Sequence, residues 1–158
     1  MIKGILESDR QLEEKIRVQA SPEAIWAVIT DIESAVSRLS GINKVEILHK
    51  PERGFAGLTW KETRTMMGKE ADEIMWVTES KAPVFYKTEA HNHGMIYTSK
   101  LYIENKGDHS VLGMAFLGEP QTFGAKIMGA IMNVLMKKSM RKMIRKDLEE
   151  LKSAIEDV

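Results

Sequence analysis

Residues Phe123 to Val158 read FGAKIMGAIMNVLMKKSMRKMIRKDLEELKSAIEDV, a stretch without proline, so nothing interrupts one long helix. Everything before it is patterned as short strands, with one helical patch near Pro22. A lone long helix after a run of antiparallel strands needs a surface to lie on, and the strands need their apolar face covered. The expected arrangement is a sheet curled around this helix.

The helix divides into two halves. From Ile144 onward the apolar residues are Ile144, Leu148, Leu151 and Ile155, spaced 4, 3 and 4, which places them on one stripe. Extended backward, the stripe meets Arg141 and Lys137, then turns apolar again at Val134, Ala130, Ile127 and Phe123. A second apolar row, Ile131 and Leu135, runs beside it. The first half is also rich in small residues and methionine, including Gly124, Met128, Gly129, Met132 and Met136. A glycine inside a helix costs roughly 0.5–1 kcal/mol relative to alanine, so its presence asks for a local reason. One reason is space beneath the helix, lined by adaptable thioether side chains; the other is close packing of helix on sheet. The basic run Lys137, Lys138, Arg141, Lys142, Arg145 and Lys146 reads as a solvated face or, alternatively, as attraction to an anionic membrane or acidic partner.

A chain of 158 residues fits a single domain, 1–158, with residues 1–10 as an irregular arm. Its formal net charge of zero argues against a dedicated nucleic-acid binder, for which a basic domain is expected. The absence of cysteine excludes disulfides, zinc–thiolate sites and thiol catalysis. The first 18 residues hold no sustained apolar run, so neither a signal peptide nor a membrane span is expected there, and a cytoplasmic location is the default.

Leu12, Glu14, Ile16 and Val18 alternate with polar neighbours, giving a strand with one polar residue on its inner side. Ser21 and Pro22 suit the N-cap and first position of a helix with an apolar stripe of Ala24, Ile25, Val28 and Ile29. Trp26 sits beside that stripe, as packing between the short helices and the sheet. Asp31 is positioned to cap a second short helix that ends by Gly41. This helix pair does not read as a DNA-binding motif, because its exposed positions are not basic. Val45 and Ile47 mark a second strand, and Pro51 to Gly54 a turn.

Leu58–Met66 and Ala71–Glu79 form a hairpin whose loop is predicted at Gly68-Lys69. That register sets Met66 against Ala71, Arg64 against Glu73, Glu62 against Met75 and Trp60 against Val77, all eight on the inward face. Val84–Asn92 and Met95–Glu104 form the next hairpin around His93-Gly94, pairing Ala90 with Tyr97, Thr88 with Ser99 and Tyr86 with Leu101. After Lys106-Gly107-Asp108 comes a final strand, Ser110–Leu117, apolar on both faces. The order is one strand, two short helices, six meandering strands and the long helix.

Ala20-Ser21-Pro22-Glu23-Ala24-Ile25-Trp26, with Asp31 following, resembles the start of the first helix in the START-like (SRPBCC, helix-grip) superfamily. Trp60-Lys61-Glu62-Thr63-Arg64 after Gly57, and Asp147-Leu148-Glu149-Glu150-Leu151-Lys152 near the end, are similar to the same superfamily. Its polyketide cyclase/dehydrase and lipid-transport group is the nearest resemblance. Where that group often has Gly-Thr before the last strand, this chain has Asp108-His109-Ser110. The resemblance covers about Gln11 to Glu156. It implies an α+β helix-grip fold: a curved antiparallel sheet of about seven strands around the C-terminal helix. It also implies a deep cavity between sheet and helix, of the kind that holds lipids, polyketides or aromatic compounds.

The inward wall supplies the candidate ligand contacts. Trp60, Met66, Met75, Tyr86, Tyr97 and Leu101 are its apolar and aromatic part, and Ile127, Met128 and Ile131 face it from the helix. Glu62, Arg64 and Glu73 put charge on the same face. An ionised group in a dry core is costly unless paired, so either Arg64 pairs with Glu73 beside a polar ligand group, or this end of the hairpin is solvated. The leading expectation is a binder or carrier of a hydrophobic small molecule. A rival is an enzyme, a cyclase, dehydratase or hydrolase, with Glu62 or Glu73 as general acid or base and Arg64 stabilising an enolate. A third is a protein-interaction module of co-chaperone or toxin type. No cofactor or metal is expected: His91 and His93 lack an obvious third ligand, and no phosphate loop or dinucleotide fingerprint is present.

Overall fold

The computed structural model describes residues 11–157, except for the side chains of 128–135 within the last helix. The expected arm at 1–10 lies outside the described residues. The order is β1 (Gln11–Val18), α1 (Pro22–Ile29), a 3₁₀ turn (Ile32–Ser34), α2 (Ala35–Arg38) and β2 (Ile42–His49). It continues with β3 (Thr59–Met66), β4 (Lys69–Lys81), β5 (Phe85–Asn92), β6 (Met95–Asn105), β7 (Ser110–Pro120) and α3 (Phe123–Glu156). The strands form one antiparallel seven-stranded sheet ordered β1-β7-β6-β5-β4-β3-β2, with the chain's first two strands at its two edges. No helix among the described residues is long and apolar enough to cross a membrane.

Local chemistry starts the two longer helices, α1 and α3. The Ser21 hydroxyl accepts from the Ala24 N–H at 3.2 Å, with Pro22 behind it, as the sequence predicts. Thr122 does the same for α3, accepting from the Ala125 N–H at 3.1 Å. Asp31 departs from its expected role: it makes no side-chain cap and pairs with Arg38 at 3.2 Å. The turn there is 3₁₀, and a carboxylate with a guanidinium seven residues on forms a charge-assisted pair.

The stripe predicted on α3 faces the core. Ile144 is 0% and Leu148 2% exposed, and Leu151 and Ile155 are also buried. They pack with Leu12, Val18, Ile25, Ile29, Trp60, Val77 and Leu112 from the strands and α1. Each fully buried aliphatic side chain of this kind contributes roughly 1.5–3 kcal/mol.

The β3–β4 hairpin differs from expectation in register but not in facing. Met66 pairs with Lys69, Arg64 with Ala71, Glu62 with Glu73 and Trp60 with Met75. The loop is Met67-Gly68, with φ of 49° and 76°, and both residues are left-handed as a type I′ turn requires. Moving the loop back by one residue slides each pairing by two positions, so every inward residue remains inward. The β5–β6 pairing is as predicted, with Ala90–Tyr97, Thr88–Ser99 and Tyr86–Leu101.

Candidate functional site

Inner-face charges of β3 meet the last helix at Arg64. Its Nε donates to Glu62 Oε1 at 3.0 Å, and its two terminal nitrogens reach Asp147 Oδ1 and Oδ2 at 3.3 and 3.0 Å. The side chains of Glu62, Arg64 and Asp147 are only 13–14% exposed. Gly41 leaves room for this arrangement, since a Cβ there would lie 3.1 Å from the Arg64 guanidinium. Trp60 closes the near side, its indole N–H directed at Glu62 Oε2 at 3.4 Å. The expected Arg64–Glu73 pair is therefore replaced. In the observed register Ala71 stands opposite Arg64, and the second carboxylate comes from α3.

Glu73 instead stands across from Glu62. No hydrogen-bond or ion-pair partner for it exists among the described residues. Burial, reinforced by the Glu62 charge and only partly offset by Arg64, pushes its carboxyl above the ordinary carboxylate range. Burial also raises the Tyr97 phenol, with the Glu73 charge adding to the effect. The Tyr97 ring stacks on Phe116, with centroids 5.7 Å apart and planes at 21°. Burial lifts Asp147 too, with Glu62 and Glu150 helping, despite the guanidinium beside it.

Other candidates divide by position. Met66, Met75 and Leu101 are half-buried on the same face. Tyr86 is fully engaged in structure: its hydroxyl donates to the Ile29 carbonyl at 3.0 Å, and its ring meets Trp26 and Phe55 edge to face. Trp26 thus packs where expected, between α1 and the sheet. Deeper on the wall, the Thr88 and Ser99 hydroxyls bond to each other. Ile127 is 46% exposed, while Met128 and Ile131 belong to the side chains outside the described residues. His91 pairs with Glu89 at 2.6 Å and packs against Trp76, while His93 occupies the hairpin turn. No cluster able to hold a metal occurs among the described residues.

Asp147 did not stand out as a site residue from the sequence. The signal was present: it lies three residues after Ile144 and four before Leu151, on the edge of the buried stripe where a carboxylate needs a cation. Glu14, the polar residue on the inner side of β1, finds Arg141 at 3.0 Å and Arg145 at 3.2 Å. Those partners belong to the basic run, whose members Arg141 and Arg145 remain half-exposed or more.

The profile of a family described as polyketide cyclase/dehydrase and lipid transport matches residues 9–156, nearly the whole chain. The chain belongs to this polyketide cyclase/dehydrase and lipid-transport family. Solved structures agree on the fold. A protein of Thermus thermophilus superposes with a TM-score of 0.76 at 15% identity, covering 92% of this chain and 96% of that one. The Zhui aromatase/cyclase from a Streptomyces species gives 0.74 at 13% identity, covering 93% of each. A START superfamily protein from Mycobacterium smegmatis gives 0.63 at 17% identity, covering 86% of this chain and 97% of that one. No curated protein sequence matches the chain. The seven-stranded sheet and long helix are thus a START-like, helix-grip fold within this family.

Proposed function

We propose that this polyketide cyclase/dehydrase and lipid-transport family member binds or carries a hydrophobic small molecule between the sheet and the early turns of α3. The supporting observation is a contrast along that helix. Ile144 and Leu148 are 0% and 2% exposed, whereas Phe123 and Ile127 are 78% and 46% exposed. The late turns fill the core, and the early ones present apolar side chains that the sheet leaves uncovered. The wall carrying Trp60, Met75, Tyr97 and Leu101 is apolar and aromatic with a few polar groups, as small-molecule sites are. Delipidated protein is expected to take up a fatty acid, sterol or polyaromatic probe saturably, with a change in Trp60 emission. Absence of saturable uptake of all three removes the proposal.

The enzyme reading draws on one observation, the raised proton affinity of Glu73, which suits a general acid. Against it, Arg64 already spends both faces of its guanidinium on Glu62 and Asp147, leaving little to stabilise an enolate. If the Glu73→Gln and Glu62→Gln variants turn over candidate polyketides as the parent does, catalysis by these carboxylates is excluded. A fall in turnover with unchanged probe uptake establishes it. A cytoplasmic location is part of the same proposal, and fractionation of the native protein tests it.

A further inference from the structure

A recess lies at the opposite end of the sheet from the β3–β4 and β5–β6 turns. It measures about 500 Å³ and is lined by Trp26 of α1, by Arg53, Gly54, Phe55 and Ala56 before β3, and by Ser80 and Ala82 around the β4–β5 turn. It shares no lining residue with the wall carrying Trp60, Glu73 and Tyr97. This volume is within the usual range for small-molecule sites.

The recess is built rather than left over between mobile loops. Phe55 meets Tyr86 edge to face with centroids 5.0 Å apart and Trp26 at 6.4 Å. Tyr86 is itself anchored to the Ile29 carbonyl. The segment carrying Phe55 is pinned to β4 by Gly57 N–H to the Val77 carbonyl at 2.8 Å and Val77 N–H to the Leu58 carbonyl at 2.9 Å. Across the recess, Val84 N–H reaches the Lys81 carbonyl at 2.7 Å and Ile103 N–H the Val84 carbonyl at 2.8 Å. Gly54 adds openness, because a Cβ there would meet nothing within 4 Å.

The charged side chain of the recess, Arg53, is a pure donor, and the Ser80 hydroxyl can donate as well as accept. Among the described residues, neither the Arg53 guanidinium nor the Ser80 hydroxyl has a hydrogen-bond or ion-pair partner. The side-chain ammonium of Lys81, next to Ala82, also lacks one among the described residues. No acidic residue lines the recess. An aromatic corner, with the Trp26 and Phe55 planes at 65°, beside a guanidinium without a partner among the described residues suits a planar ring that bears an anion. One ring can take its face and the other its edge, and the fork of N–H donors matches a carboxylate bidentately.

We infer that this recess is a second binding site, taking a flat aromatic carboxylate whose ring lies against Trp26 and Phe55 and whose acid group meets Arg53. It is independent of any guest held between sheet and α3.

The test is titration with 2-naphthoate, with 2-naphthalenemethanol as the uncharged counterpart, followed by amide and indole NMR shifts. Naphthoate is expected to move the Trp26 indole and the Phe55 and Ser80 amides saturably, and to bind more tightly than the alcohol. Arg53→Gln should weaken naphthoate by about tenfold, the scale of a charge-assisted hydrogen bond, and leave the alcohol unchanged. Because Arg53 is exposed, the variant should keep the parent's unfolding midpoint. A guest in the inner site moves the Trp60 indole and is indifferent to Arg53→Gln, so the two sites are told apart. Shifts confined to Trp60, equal binding of acid and alcohol, or no saturable shift at millimolar probe would each overturn the inference.

Discussion

Arg64 offers one positive charge to three carboxylates: Glu62 and Asp147 in direct contact, and Glu73 across the hairpin from Glu62. Removing the guanidinium leaves two mostly buried carboxylates facing each other, so Arg64→Met is expected to lower stability by roughly 3 kcal/mol, read from the urea midpoint. Glu73 behaves in the opposite sense. Its folded-state proton affinity is raised, so the folded protein keeps the proton to higher pH than the unfolded chain does. Stability therefore falls as pH rises from the ordinary value of 4.5 through the raised one, and stays lower at neutral pH. Glu73→Gln should accordingly stabilise at neutral pH by roughly 0.5–1 kcal/mol, the scale of a like-charge cross-strand pair. The gain should vanish near pH 4, where the parent carboxyl is itself protonated; urea unfolding at both pH values checks this. At this scale the sequence was legible where a polar residue interrupts an apolar pattern. Glu14 interrupts β1, Arg141 interrupts the helix stripe, and the two meet. The choice of Asp147 over Glu73 as the partner of Arg64 was not legible, because it depends on how far the helix descends across the sheet.

Elements were read well wherever period alone decides them. Alternation fixed the inward faces of β1 and β3 to β6, and the stripe fixed the buried side of α3. Period cannot separate two hairpin registers that differ by two positions, since both keep every side chain on its face. That is why the predicted loop, Gly68-Lys69, and the observed one, Met67-Gly68, give the same wall. The neighbouring hairpin held the missing clue. Its loop is His93-Gly94, a non-glycine residue followed by glycine, and both turns have φ near 49° at the first position and above 70° at the second. Methionine is a poor occupant of a left-handed position, whereas asparagine visits it readily. Met67 is also 69% exposed, so little packing is lost on its replacement. Met67→Asn is therefore expected to stabilise by roughly 0.5–1 kcal/mol, seen as a raised thermal midpoint.

For the whole molecule, the late half of α3 belongs to the core that the sheet and α1 share. Leu148→Ala should cost about 3 kcal/mol and still give one cooperative transition, with circular dichroism and tryptophan emission falling together. Two separated transitions would mean that helix and sheet are independent units. The sequence conveyed this architecture through the order of its elements. Sequence period does not say how closely the early turns of α3 approach the sheet, because a glycine- and methionine-rich face suits close packing and open space equally.

Both margins of the sheet are fastened by the same helix. On the β1 side, Lys152 donates to the Arg17 carbonyl at 2.6 Å and Glu156 accepts from the Gln19 N–H at 2.7 Å. On the β2 side, Glu150 accepts from the Ser40 N–H and hydroxyl, both at 2.6 Å, and Asp147 holds Arg64. A ribosome makes this clasp only after all seven strands. Until Phe123–Glu156 has been synthesised, a nascent chain owns seven complete strands with neither border tied, and chaperone engagement should persist through that interval and end when the helix emerges.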